Sequence, residues 1–387
     1  MGLSHGLRQP FLTNCEEIKR ILPNYEKKRM WEVLKLNRQT MNEQVEELLS
    51  RMTIREKIGQ LNQKLFGWKV YCKKADGEYE LTDYFKEHVR WGGGIGVLYG
   101  LFRADPWSGV TFETGIDGDD RGKVANMVQQ YLIDHTRLKI PALLSEETPH
   151  GHQALDGSNF PTNIGMGCTF NPALLERTSA YVSREIINSG AHLGLVSVLD
   201  MAVDPRWGRT EECFSEDPYL SARMAEAAVR GFQSSKAAMV AKHFCAQGAG
   251  LGGHGGHGVN IGEREVREIH LPGMRAACKA GVKACMASYN EIDGIPSHSN
   301  RWLLRDVLRD EFGFTGIVMA DGCGNDALTQ LTADTVRAGA MALRAGVGMS
   351  LWDDAFMRLD EALEAGLIDE ALINEAVRRG GRTGICS

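Results

Sequence analysis

No run of 18 apolar residues occurs in the 387-residue sequence, so no segment has the length and apolarity to cross a bilayer as a helix. The first 15 residues, MGLSHGLRQPFLTNC, lack the apolar stretch of a secretory signal, and Gly6 stands where N-myristoylation wants Ser or Thr. Neither a membrane partner nor export is expected. The nine cysteines are odd in number, scattered and without a C-x-x-C pair, which argues against a disulfide framework and a zinc ribbon. Reduced thiols in a cytoplasmic setting are expected. Charge of one sign is not concentrated either: 44 Lys and Arg against 50 Asp and Glu give −6 without long blocks, so no nucleic-acid partner is expected. With 43% apolar and 24% charged residues the chain is not disordered as a whole.

Glycine is abundant, at 44 residues against an average of about 7%, and clusters after apolar runs. Residues 1–45, interrupted by Pro10 and Pro23, read as an N-terminal arm, 46–379 as one domain, and 380–387 as a tail. At the domain's start, Leu48, Leu49, Met52, Ile54, Ile58 and Leu61 recur at helical spacing, with Thr53 a candidate cap. Strand-length apolar runs follow at 94–100, 141–145, 192–201, 237–244, 282–289, 316–321 and 346–352. Amphipathic segments at 124–137, 173–188, 218–233, 263–280, 302–312, 331–345 and 356–379 separate them. Continuous apolar runs alternating with helices predict an α/β fold with a parallel sheet buried on both faces.

Polar residues gather where the runs end: Glu146, Glu147 and His150; Asp204, Arg206 and Arg209; Lys242 and His243; Tyr289 and Asn290; Asp321; Asp353 and Asp354. So many consecutive strand ends converging on one pocket favour a closed TIM-like (β/α)8 barrel over an open doubly wound sheet. Seven strand–helix units are counted, and the eighth strand is unassigned.

Gly248, Gly250 and Gly253 match G-x-G-x-x-G, but no helix is predicted to open there to receive a pyrophosphate, so a mobile loop is preferred to dinucleotide binding. The pairs His254/His257 and His150/His152 lack helical H-E-x-x-H spacing and a third ligand. No cofactor and no metal are expected. Lys242 and His243, a cation beside an imidazole, suit a hydroxyl-rich ligand, with a salt bridge to a neighbouring strand-end carboxylate the equal alternative. Asp321 closes the run GIVMA ahead of Gly322 and Gly324, a carboxylate beside backbone that a ligand can approach closely. A capping role would look similar. The other polar groups on the same rim favour sugar chemistry, where a carboxylate stabilises or captures an oxocarbenium-like centre.

The segments DPRWGRTEECFSEDP (204–218), KHFCAQG (242–248), MASYNEIDGIPSHSN (286–300) and FGFTGIVMADG (312–322) closely resemble glycoside hydrolase family 3, the β-glucosidase family. With SEETPHG, RADPWSG and NIGEREVREIHLPG, the resemblance covers residues 46–379. It implies a retaining exo-hydrolase acting on a carbohydrate and releasing a non-reducing terminal β-D-glucose, or second a β-xylose, through a covalent glycosyl-enzyme. By position, Asp321 falls on the nucleophile, Lys242 and His243 on the pair that binds sugar hydroxyls, and Arg209 and Tyr289 on further sugar-site positions. Glu147 stands where many members carry a hydroxyl-binding Asp, and Met286 is expected to line the same pocket. Many members follow the nucleophile with Trp packed on the sugar. Gly322 stands there, so that wall comes from elsewhere or is absent.

The chain is expected to stop short of the α/β sandwich domain that supplies the acid/base Glu in most family β-glucosidases. Single-domain β-N-acetylglucosaminidases of the family instead use an Asp-His pair after the K-H motif. Here Gly253 falls at the Asp place and His254 one position early, so that hexosaminidase alternative loses its dyad. A retaining mechanism still needs a second carboxyl about 5–5.5 Å from the first. His254, Glu211 and Glu212 are the internal candidates, with Glu211 and Glu212 more readily explained as organisers of the arginine loop. A sugar-binding or catalytically impaired barrel is the rival of another class, and a nicotinamide-dependent oxidoreductase the third. Self-association through the face that a second domain would cover is also expected.

Overall fold

Six parallel strands form the sheet: β1 (Val97–Tyr99), β2 (Leu143–Glu147), β3 (Leu193–Ser197), β4 (Ala238–Phe244), β5 (Ala284–Ala287) and β6 (Ile317–Met319), each paired with the next in sequence order. The computed structural model describes residues 42–386, with side chains as far as Thr383. Most of the expected arm at 1–45 therefore lies outside the described residues. From Leu48 onward the chain is one unit, and all that follows belongs to it.

From Ile54 onward the helices of seven or more residues are α1 (Ile54–Gln60), α2 (Asp83–Gly92), α3 (Arg121–His135), α4 (Pro172–Asn188), α5 (Pro218–Phe232), α6 (Pro272–Lys279), the π-wound α7 (Trp302–Glu311), α8 (Thr335–Ala345) and α9 (Glu370–Cys386). Their starts follow from local chemistry. Thr53 and Glu56 form a reciprocal capping box on α1. Asn171 and Asp217 cap α4 and α5, each followed by proline, and Asp334 caps α8. No helix among the described residues is long and apolar enough to cross a membrane.

The strands are apolar on both faces, and residues two apart share a face. Val97, Tyr99, Leu193, Leu195, Val240, Ala284, Met286, Ile317 and Met319 join Met349 and Leu351 in one inner cluster. The intervening residues, Leu98, Leu144, Val196, Met239, Cys285 and Val318, pack with the helices in the outer core. A sheet whose inner-face side chains all meet one another is curled.

Several sequence expectations change. Of the run at 346–352, only Met349 bridges to Met319, and no regular strand forms there. The helix expected at 263–280 is one turn, a π-wound stretch at Val266–His270, and α6. The one expected at 356–379 breaks between Leu359–Glu364 and α9, and α9 runs on through the residues read as a tail. Asp353, placed with the strand-end site residues by sequence, accepts the Asn325 and Asp326 amides at 2.9 and 3.0 Å and so caps a turn.

Candidate active site

At the carboxyl end of β4 the pairing register to β5 shifts between Ala241 and Phe244, an irregularity that re-aims Lys242 and His243 at the sheet's mouth. Lys242 is buried, and its Nζ donates to Glu147 Oε2 at 2.8 Å. Tyr99 donates its hydroxyl to the other Glu147 oxygen at 2.7 Å, and Arg103 lies 3.9 Å from that oxygen. Burial would raise the Glu147 carboxyl, but the Lys242 and Arg103 charges outweigh it and hold it below the usual range. Lys242 thus makes the strand-end ion pair that was one of the two expectations, and it also lines the cavity.

His243 is fully buried. Its Nδ1 lies 2.6 Å from Asp200 Oδ2 and its Nε2 lies 2.9 Å from Arg209 Nη2. A guanidinium can only donate, so Nε2 accepts, the ring proton sits on Nδ1, and Asp200 receives it. Arg209 also grips Glu212, Nε to Oε1 at 2.6 Å and Nη2 to Oε2 at 2.9 Å, while Ser197 Oγ donates to Glu212 at 2.5 Å. Burial opposes ionisation of Glu212, yet the Arg209 bonds and the Lys242 charge bring it down to about 2. Glu212 therefore holds the arginine loop and carries no proton near neutrality.

Asp321 stands two residues beyond β6 with its backbone N–H donated to His298 Nε2 at 3.1 Å. His298 is fully buried, and burial keeps it neutral, lowered to about 4 against the pull of Asp321. A side chain at Gly324 would meet His298 Nε2 at 2.2 Å, so only glycine permits this approach. Asp321 Oδ1 accepts the Gly322 N–H at 2.8 Å. Its Oδ2 is buried, unpaired among the described residues, and 3.6 Å from His243 Nε2. Tyr289 faces the same carboxylate, and burial together with that negative charge raises its phenol.

A cavity of about 580 Å³ opens beside this group, lined by Arg103, Trp107, Glu147, Arg209, Glu211, Glu212 and Lys242 among others. The structure therefore brings together Asp321, His243, Arg209 and Tyr289, and the cavity joins Arg209 to Lys242 and Glu147. Two further residues singled out in the sequence do not line the cavity. Met286 lies on the inner face of β5 in the cluster that also holds Met319 and Tyr99 and is packed by Trp352, and it is not among the cavity-lining residues. His254 is exposed on the glycine-rich loop, its ring stacked on His257 at 4.7 Å, and does not line the cavity. Sequence reasoning missed Asp200, Tyr99, Arg103 and His298. Asp200 had a signal, a carboxylate ending the apolar run HLGLVSVL.

A curled parallel α/β sheet that gathers carboxylates, a lysine, an arginine and a histidine at its carboxyl ends has the build of a glycoside hydrolase domain. The chain belongs to glycosyl hydrolase family 3, whose N-terminal domain matches residues 53–382. It is 31% identical over 343 residues to a periplasmic β-glucosidase of Salmonella typhimurium, a match covering 86% of this chain and 40% of the relative. A β-xylosidase of Formosa agariphila is 31% identical over 287 residues, covering 66% and 39%. Among solved structures, a β-glucosidase from Erythrobacter marinus superposes with a TM-score of 0.78 at 29% identity, covering 89% of this chain and 45% of that one. The Listeria innocua β-glucosidase in complex with glucose gives 0.76 at 28%, covering 89% and 47%. The chain spans less than half the length of these proteins.

Proposed function

We propose that the chain forms the sugar-binding and nucleophile-bearing domain of a retaining exo-glycosidase that releases β-D-glucose, with β-xylose second, from non-reducing ends. The observation that carries this is the unpaired Oδ2 of Asp321 at the end of β6, faced by His243, Arg209 and Tyr289. In this reading Oδ2 attacks the anomeric carbon, an ester forms as the aglycone oxygen leaves, and water then cleaves the ester with overall retention. Arg209, Lys242, His243 and Glu147 hold the sugar hydroxyls through bonds that strengthen as positive charge develops on the ring. The glucosidase and xylosidase names among the relatives support the two choices of sugar.

The sheet in this proposal closes as an eight-membered ring. Support comes from Ser350 N and Trp352 N donating to Leu61 O and Gln63 O, both at 3.0 Å, and from bridges Phe66–Tyr99 and Met319–Met349. Segments 61–66 and 349–352 would stand as the two irregular members.

Glu147 and Glu212 are both ionised at neutral pH and serve poorly as proton donors. Glu211 is exposed, lines the cavity, and pairs with no cation among the described residues, so it is the internal acid we propose. That ionised pair also favours the second reading, a site that binds sugar but protonates leaving groups weakly. A nitrophenyl β-glucoside, which needs little acid help, tests both. The first reading predicts β-glucose as the initial product by NMR, and α-glucose would sink it. Cellobiose should also turn over and slow by about 10²-fold or more in Glu211→Gln, whereas hydrolysis of the aryl glucoside alone supports the second reading.

A further inference from the structure

Gly322, next to Asp321, lies against the indole of Trp352: a Cβ at 322 would stand 2.7 Å from Trp352 Cε3 and Cζ3 and 3.1 Å from Tyr289 Oη. The Asp321 carboxylate, the Tyr289 hydroxyl and the Trp352 ring thus converge around one residue that has no side chain. Trp352 holds a left-handed φ of 64°, a conformation that costs a bulky L residue and persists only where its surroundings impose it. Those surroundings are visible. Trp352 N donates to Gln63 O, Lys64 Nζ donates to Trp352 O at 2.9 Å, and Cys323 N donates to Leu351 O at 2.8 Å.

The ring is the inner end of an aromatic surface. Trp352 and Trp107 have centroids 5.2 Å apart, Trp107 and Trp68 5.1 Å, and Trp352 stands at 89° to Tyr99, the phenol that donates to Glu147. Trp107 is 56% exposed and lines the cavity with Arg209, Glu147 and Lys242. Trp352 itself is half-buried, packed by Phe66 at 5.0 Å, and meets the cavity through Trp107. Aromatic rings running from the cavity to the residue beside Asp321 suit a ligand with one apolar face and a polar rim, which describes a pyranose ring. The polar partners for the rim are already present on the cavity wall.

We infer that Trp352, admitted by the absence of a side chain at Gly322, is the stacking wall that orients the sugar ring over Asp321. The inference rests on the proposed reading of Asp321 and adds to it the residue that fixes the ring's plane. A wall at this place acts by orientation, so its loss displaces the anomeric carbon from Oδ2 as well as weakening binding.

The test uses the full chain with Trp352→Ala, Trp352→Phe and Gly322→Ala, each checked for an unchanged far-UV spectrum and a cooperative melt. Two readouts are taken: kcat/KM on nitrophenyl β-glucoside, and calorimetric binding of the iminosugar isofagomine. Trp352→Ala and Gly322→Ala should each lose about 10- to 100-fold in kcat/KM and weaken the iminosugar at least several-fold, while Trp352→Phe retains most of both. If Trp352→Ala does not fold, Gly322→Ala carries the test by pushing the ring aside. Folded variants within twofold of the parent in both readouts overturn the inference and leave the role of Asp321 standing. A parent that binds the iminosugar without turning over aryl glucoside overturns the nucleophile reading, and the wall is then judged on binding alone. A parent that neither binds nor turns over overturns both.

Discussion

His243 Nε2 lies 3.6 Å from Asp321 Oδ2 and also accepts a hydrogen bond from Arg209 at 2.9 Å. A neutral imidazole thus separates the carboxylate from the guanidinium, and what keeps it in that tautomer is Asp200 on the opposite ring nitrogen at 2.6 Å.

Asp200→Asn keeps the volume but offers an amide where a carboxylate held the Nδ1 proton. The expected outcome is a loss of about 10²-fold or more in kcat/KM on an aryl glucoside with the melting temperature little changed, by analogy with other orienting carboxylates. Unaltered kinetics would mean that Arg209 alone orients the ring.

Lys242→Ala removes the cation from a Glu147 carboxyl that is largely enclosed and depends on that charge for its low pKa. Both kcat and affinity should fall, because a contact that tightens in the transition state contributes to the chemical step. The pH–rate profile of the variant should shift upward on its acidic limb as the Glu147 carboxyl rises. A variant that merely melts earlier, with kinetics and profile intact, would reduce Lys242 to a structural ion pair.

Much of this site was legible in the sequence, and the reasons are physical. β1 through β6 are buried on both faces, so they read as continuous apolar runs, and the residues just past them are the ones that line the mouth. The segment at 61–66 carries no such signal. Asn62 and Gln63 are fully buried there, Asn62 donating its side-chain amide to Ile58 O and Gln63 its backbone N–H to Ser350 Oγ, so polar residues occupy a place where an apolar run is sought. Trp352 was hidden for a related reason: it ends the run GVGMSLW and reads as the last residue of a strand, whereas its left-handed φ turns it against Gly322. Met286 shows what a resemblance leaves open: it gives the position, while the strand's two-residue period sets the face, here the inner face shared with Tyr99 and packed by Trp352.

Stability should fall as the medium is acidified from pH 6.5 to about 4. Burial lowers His88, His270 and His298 to about 4 from an ordinary 6.5, so in that window the unfolded chain binds protons that the folded chain refuses. Above 6.5 the contribution is fully present, and each histidine accounts for on the order of 1–3 kcal/mol across the window. Both ring nitrogens of His270 lack partners among the described residues, so His270→Leu should flatten the decline. Melting temperatures from pH 8 to pH 4 for the parent and this variant check it, and parallel curves would contradict it.

The central claim, that Asp321 is the nucleophile, is tested most directly by trapping the glycosyl-enzyme. Incubation with an activated 2-deoxy-2-fluoro β-glucoside, followed by protease digestion and mass spectrometry, should place one fluoroglucosyl unit on the peptide containing Asp321. Asp321→Asn should abolish that label and lower kcat by about 10³-fold or more. A label on any other carboxylate, with Asp321→Asn still trapped, would contradict the account.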